Sequence, residues 1–455
     1  MDALKEMGTG LTSEKLADVW LKKIPHGCDE YSIALHNMRH GILPPASGWK
    51  NNFFADGMGG TIRSEIWALL FPERPDAAGY FAQQDAEVDH WGDGVRGEVF
   101  MAQAEAYACA HSQIEEALRF AMEKIDRDSR LYKTISKVFE LYEAGVGDEQ
   151  ARDVLLLTEQ RRSNFTDCVM NLSFVVHALL RGEGDFLKTV LTVISFGRDT
   201  DCTAASCGAF LGIAKGQAAF PESWIRKVND RLTLSDFVAQ IPDVPQTMES
   251  LVSQTFALHE KLAGELPEES YPPYILYRPV SPLPETDRAQ WLILDEEKYD
   301  IPRIEEEIQS TGGCPERLRD QLHSFSSLFL DLSPFVGRYN TLHLFSFLHI
   351  NNREVDDSEV VVSVTADVGM TLYIDGRRVL NHHSRQKMLP SFHRAEGGAS
   401  FLLPLGPEKI HLFHWKLYNC SAPMGACLMF GNLHNDHLDG FDFTMEIKDK
   451  EQTNA

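Results

Sequence analysis

The sequence predicts a multidomain protein: an all-α domain over residues 1–265, then an all-β, jelly-roll-like sandwich over residues 286–447. Three observations carry this. Apolar residues recur at three and four spacing as far as about Leu262. Beyond about residue 285 the spacing switches to two. Between the two regimes lies a proline-rich linker, 266–285, and a short polar tail, 448–455, ends the chain.

The helical pattern begins at "SEKLADVWLKKI", with Ser13 as the expected cap. It continues through "GEVFMAQAEAYACA", "HSQIEEALRFAMEKI", "SRLYKTISKVFELYEAG", "FTDCVMNLSFVVHALLRG" and "DFLKTVLTVISFG". The connections are short and carry Gly, Asp or Pro, and no fixed repeat marks a solenoid. Pro267, Pro272, Pro273, Pro279, Pro282 and Pro284 then favour extended chain, because proline donates no backbone hydrogen bond. "EVVVSVTADVGMTLYIDGRRVLNHH" alternates β-branched or aromatic residues with polar ones, and Asp375-Gly376 marks a hairpin turn. "ASFLLPLGPEKIHLFHWKLYNC" and "GACLMFGN" read as further strands.

Bulk properties narrow the classes of function. The formal net charge of −24 argues against binding a nucleic-acid duplex through a basic face. A phosphorylated ligand would need local cations or backbone N–H groups. Apolar runs such as Leu187–Phe196 are too short for a membrane span, and "MDALKEMGTGLTSEKL" has no apolar signal core. The eight cysteines form no CxxC pair, so free thiols in a reducing compartment are expected, and the expected location is cytoplasmic.

The chemistry concentrates in "SFGRDTDCTAASCGAFLG", residues 195–212. Asp199 and Asp201 stand two apart, ahead of a helix rich in small residues at 204, 205, 208, 209 and 212. Those small side chains predict close packing and a central position. Two readings of the aspartates stand side by side. One of them is the helix cap, as Asp commonly is. Alternatively the pair, with a nearby hydroxyl such as Thr200 or Thr203, holds a hard cation.

"FGRDTDCTAASCGAFLGIAKG" resembles the C-terminal signature of the ADP-ribosylglycohydrolase family. "FFADGMGGTIRSEIWALLFPERPDAAGYFAQQDAEVDHWGDGVRGEVFMAQAEAYA" resembles that family's glycine-rich segment and its Thr-His turn. "NFTDCVMNLSFVVHALLRGEGDFLKTVLTVISFG" resembles the helix pair leading into the aspartates. The likeness runs over residues 12–230. It implies an all-α hydrolase that cleaves the bond between ADP-ribose and an acceptor with two Mg²⁺ ions, or Mn²⁺ in some members. Carried over, Asp199 and Asp201 are metal ligands. Gly57, Gly59, Gly60, Thr61 and Arg63 form the ligand-binding loop. His90 and Asp93 stand beside the substrate, an ADP-ribose-type small molecule or ADP-ribosylated group. For His90 the other reading is a satisfied structural histidine, and for the loop an ordinary turn capped by Thr61.

The chain departs from the family pattern in two places. Cys202 stands where a Thr ligand is usual, and a neutral thiol is a poor partner for a hard cation. The family's front segment, with a catalytic acid and an Asp-Asp motif, has no evident counterpart. Asp356-Asp357 lies in the β region and is no substitute. No catalytic residue is assigned on this reading, and weak Mg²⁺ binding with impaired hydrolysis is expected. The alternative is a non-catalytic ligand- or carbohydrate-binding accessory protein. The β region resembles sandwich modules attached to glycosidases, and Trp415, Tyr418, His393 and His414 are its candidates for stacking on a sugar, the other reading being core residues or cross-strand pairs.

Overall fold

The computed structural model describes residues 1–447 apart from 26, 40, 51, 53, 160–163, 229, 235–240, 242, 274–288, 326–328, 351–359, 384–398, 404–409, 422–423, 434–437 and 439–440. Asp356-Asp357, His393, Pro279, Pro282, Pro284 and the tail 448–455 lie outside the described residues. The chain divides into two compact units, Met1–Pro279 and Val280–Ala455.

Side-chain caps open several helices of the first unit. Ser129, Asp167, Asp185 and Thr247 accept from the backbone N–H three residues on, starting Arg130–Glu143, Cys168–Gly182, Phe186–Phe196 and Met248–Ala263. Each such cap contributes about 1 kcal/mol. The Ser13–Lys23 helix is capped by Thr12, not by the expected Ser13. Ser13 is buried and donates its backbone N–H to Gln84 Oε1. No helix among the described residues is long and apolar enough to cross a membrane.

The central helix is Asp93–His111. One apolar core takes its Phe100, Met101, Ala104 and Ala108. A second takes its Val95, Val99, Ala102 and Ala106. Its small residues permit the approach: a Cβ on Gly97 would overlap Cys168 Sγ and stand 2.7 Å from Thr61 Oγ1. The expectation that Thr200–Lys215 is central through its small face is therefore corrected. That helix buries Thr203, Cys207, Phe210, Leu211 and Ala214, while Ala205 is exposed and Gly208 and Gly212 are half-buried. The large apolar side chains select the inward face. The glycine face is met by rings, with Phe186 and Phe220 over Gly208 and Gly212.

The first part of the expected linker belongs to the helical unit. The Tyr271 ring lies 4.6 Å from Tyr80, and its N–H donates to Asp76 Oδ2. Arg74 donates to the carbonyls of Pro267 and Glu269.

The second unit is built of antiparallel strands. They are β1 (Ala289–Asp295), β2 (Leu322–Phe325), β3 (Phe329–Asp331), β4 (Asn340–Ile350), β5 (Val361–Ala366), β6 (Gly369–Ile374), β7 (Arg377–His382), β8 (Ala399–Leu402), β9 (Ile410–Cys420), β10 (Gly425–Gly431) and β11 (Phe441–Thr444). The larger sheet runs β2-β1-β4-β9-β6-β7, with β11 also on β4; the smaller runs β3-β10-β5-β8. Asp375-Gly376 makes the β6–β7 turn with both residues at positive φ, as the sequence led one to expect.

Period two then sorts the side chains. Leu342, Leu344 and Leu348 of β4, Phe413, Trp415 and Leu417 of β9, and Met370 and Leu372 of β6 face Val362, Val364, Leu428 and Phe430 of the smaller sheet. The opposite face of the larger sheet carries Phe345, Phe347 and Leu412. It is covered by an unexpected helix, Ile301–Thr311, through Ile301, Ile304 and Ile308. Trp415 is thus a core residue, 6.2 Å from Trp291, and not a surface platform. Tyr418 bonds through its hydroxyl to Thr371, on the face that Trp415 does not share.

Candidate functional site

Two consecutive left-handed residues, Gly197 and Arg198, turn the chain from the Phe186–Phe196 helix into Thr200–Lys215. Asp199 is the N-cap of the latter by backbone position, and its carbonyl accepts from Thr203 N–H. Its carboxylate makes no capping hydrogen bond. It receives the Cys202 thiol instead. One ligand atom from each of Asp199, Asp201 and Cys202 lies within 4.8 Å of the others, Asp199 buried and Asp201 exposed. Asn171 fixes this turn from behind. Its Oδ1 accepts from Asp199 N–H, and its Nδ2 donates to the carbonyls of Phe165 and Asp167.

A third acid arrives from the start of the Asp29–Arg39 helix. Glu30 is buried, and its Oε1 lies 3.6 Å from His90 Nε2. A Cβ on Gly59 would overlap that oxygen, so the glycine is what admits the carboxylate. Burial, then the charges of Asp199, Asp201 and Glu30, raise the Cys202 pKa and keep the thiol protonated. Sequence reasoning passed over Glu30 and found no replacement for the missing acid. The structure brings this carboxylate against Gly59 and His90, within electrostatic range of Cys202. The acidic pair Asp29-Glu30 at a helix start was the available clue, but it reads as ordinary first-turn acid.

The loop carrying Gly57 to Arg63 is held from below. Gly57 bridges to Asp167, and Thr61 Oγ1 lies 3.2 Å from Cys168 Sγ, with both residues fully buried. Gly59 O accepts from the Tyr31 hydroxyl. Gly60 N–H donates to His90 Nε2 at 3.1 Å, and the other ring nitrogen, Nδ1, lies 2.8 Å from Asp89 Oδ1. Arg63 grips Asp89 through both terminal nitrogens, at 2.9 and 2.6 Å, and reaches Asp85 at 3.0 Å. Burial works against the Asp89 carboxylate, but Arg63 and His90 prevail and hold its pKa well below the usual range. For His90, burial favours the neutral ring, while Asp89 and Glu30 act together to raise its pKa. The Gly60 bond requires a lone pair on Nε2 and so a neutral ring with its proton on Nδ1, whereas the two carboxylates raise the pKa to about 9 and favour the protonated ring. Protonation would trade Gly60 for Glu30.

Asp93 opens the central helix and joins a separate set of charges. It pairs with Arg96 at 3.1 Å and with Arg130 at 3.5 Å; Arg130 also holds Asp167 at 2.6 Å. Glu30, Gly59, Gly60, His90, Asp89 and Arg63 thus form one connected group, and Asp199 reaches the base of the loop at Gly57 through Asn171 and Asp167. Asp93 joins it through Asp167 and the Gly57 bridge. Gly60, Thr61 and His90 are fully buried and positioned as posts.

The donor set fits a hard divalent cation in part. Asp199 and Asp201 supply carboxylate oxygens of the kind Mg²⁺ or Mn²⁺ takes, with Glu30 in electrostatic range. The protonated Cys202 thiol does not suit such an ion.

A profile of the ADP-ribosylglycohydrolase family matches residues 6–257. A protein of Archaeoglobus fulgidus, described as uncharacterized, is 26% identical over 211 residues, which are 46% of this chain and 64% of that protein. The chain therefore spans less than two thirds of that relative's length. Among solved structures, a beta-glucosidase from Kluyveromyces marxianus in complex with glucose overlaps 32% of this chain and 16% of its own, at 12% identity and a TM-score of 0.21. An overlap at that level assigns no fold. With the profile covering more than half of its residues, the chain belongs to the ADP-ribosylglycohydrolase family.

Proposed function

We propose that the helical unit is a hydrolase that cleaves the glycosidic bond between ADP-ribose and an acceptor, at the start of the Thr200–Lys215 helix. One observation carries the reading. Asp199 caps that helix with its backbone alone, and its carboxylate stands with Asp201, with Glu30 in electrostatic range of their neighbour Cys202. Asp199 and Asp201 are the residues that would hold a Mg²⁺ or Mn²⁺ ion, which when bound supplies positive charge to orient and polarise substrate oxygens.

The chain's own groups account for the rest. Cleavage at a ribose carbon builds positive charge on the sugar, and a buried carboxylate such as Glu30 stabilises it. The loop Gly57 to Arg63, with glycines where backbone must approach a ligand closely, forms the binding wall with Asp93. His90, Thr61 and Asn171 fix the positions of Gly60, the loop and Asp199.

The test is release of ADP-ribose from an ADP-ribosylated peptide, with and without Mg²⁺ or Mn²⁺. Asp199→Asn is expected to lower kcat/KM about 100-fold or more while the melting temperature holds, as for removal of one charge-stabilising group. Undiminished turnover in that variant refutes the reading. Tight ADP-ribose binding by the parent chain with no turnover under either metal establishes the non-catalytic alternative.

A further inference from the structure

We propose that Arg130 is a positioning residue for the site: through Asp167 it holds the Gly57–Arg63 loop and the Asp199 turn in fixed relation. Arg130 is the first residue of the Arg130–Glu143 helix, and three carboxylates from three other chain segments converge on its guanidinium. Asp167 Oδ2 lies 2.6 Å from Nη2, Asp93 Oδ2 lies 3.5 Å from Nε, and Asp56 Oδ2 lies 3.9 Å from Nη2. Asp56 directly precedes Gly57, and Asp93 opens the helix that follows His90. Asp167 is fully buried, and its other oxygen, Oδ1, accepts the capping N–H of Met170.

The backbone of Asp167 passes this grip on in two directions. It bridges to Gly57, and the next N–H, that of Cys168, donates to the Asp56 carbonyl at 2.8 Å. The Asp167 carbonyl accepts from Asn171 Nδ2 at 2.9 Å, and Asn171 Oδ1 accepts from Asp199 N–H at 3.2 Å. The ion pair between Arg130 and Asp167 therefore stands at the root of both branches, one to the loop and one to the Asp199 turn.

The position needs an arginine. Its contacts use two nitrogens, Nε and Nη2, which the planar guanidinium holds at a fixed spacing, whereas a lysine ammonium is a single point. Arg130→Lys therefore keeps the charge and loses the fixed geometry at Asp167. Arg96, 3.1 Å from Asp93, still pairs with that carboxylate, so the change is felt at Asp167 and along its links to Gly57 and Asp199. Replacing an outer residue that orients a metal ligand typically costs about 10–100-fold in metal affinity. The effect on a bound ion rests on the role proposed above for Asp199; the effect on the turn does not.

The readouts are amide hydrogen exchange and Mn²⁺ titration followed by electron paramagnetic resonance, both on the full chain. In Arg130→Lys the Asp199 amide is expected to exchange about tenfold faster or more, while the Phe210 and Leu211 amides of the same helix keep their protection. The Mn²⁺ dissociation constant should rise about tenfold. Asp167→Asn should act in the same direction, since its amide oxygen can still cap Met170, and it tests the link even if Arg130→Lys does not fold. In an Asn171→Ala background, where the link to Asp199 is already cut, Arg130→Lys should change either readout by no more than about twofold. Arg119→Lys, at an exposed pair with Glu115 and Glu143, is the control and should leave both at the parent values. Parent-like exchange at Asp199 in folded Arg130→Lys and Asp167→Asn, or a full effect of Arg130→Lys in the absence of Asn171, overturns the proposal. If the parent binds no Mn²⁺ that Asp199→Asn removes, the metal role of Asp199 fails, and exchange at Asp199 still decides for or against Arg130.

Discussion

Replacing Gly59 with alanine tests whether Glu30 belongs to the site. The added Cβ would stand 3.0 Å from Glu30 Cδ and 2.9 Å from the Tyr31 hydroxyl, and would overlap Glu30 Oε1. Carbon atoms in ordinary contact lie about 3.5–4.0 Å apart, so the carboxylate must retreat by about 0.5–1 Å. What moves is the end of a flexible side chain, and Gly59 is not at positive φ, so the loop should survive at a cost of about 1–2 kcal/mol. A positioned group displaced by about 1 Å costs about 100-fold in rate. The assay is steady-state ADP-ribose release with a parallel thermal melt. Gly147→Ala, whose Cβ would meet nothing within 4 Å, is the control. If Gly59→Ala stays folded and turns over within about threefold of the parent, Glu30 has no part in the chemistry and the reasoning fails.

Two further outcomes are expected. Glu87 is buried, and burial, with Gln83 opposing, raises its pKa to about 7 from an ordinary 4.5. An acid whose folded pKa is raised favours folding at low pH and loses that contribution as pH climbs from about 4.5 through about 7. Glu87→Gln keeps the Gln83 bond and should therefore stabilise the chain by about 3 kcal/mol at pH 8 and by nothing measurable at pH 4, read by urea unfolding at both. We also propose that the helical and β units fold independently. A specific protease site inserted at Pro279–Val280 and then cut should leave two pieces, each with its own cooperative melt, and loss of both transitions on cutting would contradict that.

The period of the apolar residues carried most of the fold. It placed the helices, the switch to strands and the Asp375-Gly376 turn, because those depend on local spacing. It did not fix which face turns inward. Thr200–Lys215 was judged by its small residues, but Phe210 and Leu211 outweigh them in burying apolar area, and they decide the face. Ile301–Thr311 went unread, although Ile301, Ile304 and Ile308 have helical spacing, because its three consecutive glutamates resemble a solvated loop. Trp415 had two readings, core residue or sugar platform, since strand alternation alone cannot say which face meets the second sheet. At the site, the Asp199 and Asp201 pair was legible as a motif. Glu30 lies 169 residues before Asp199, so no local motif could point to it.

A cluster of acids can persist near this site because its charges are distributed unevenly. Arg63 faces Asp85 at 3.0 Å, Asp89 at 2.6 Å and Glu98 at 3.7 Å. One cation cannot balance three anions in the interior. Burial, with Asp85 adding to it, pushes the Glu98 pKa far up, so Glu98 holds a proton and its Oε1 takes the Trp67 indole N–H. Asp89 then keeps its charge, grips Arg63 and sets the His90 tautomer, which in turn fixes Gly60. The same loop, one residue earlier, admits Glu30 at Gly59. Asp85, Asp89 and Glu98 are thus accommodated by one guanidinium and one proton. In the proposed hydrolysis, Glu30 is the carboxylate this loop admits that would stabilise positive charge on the sugar.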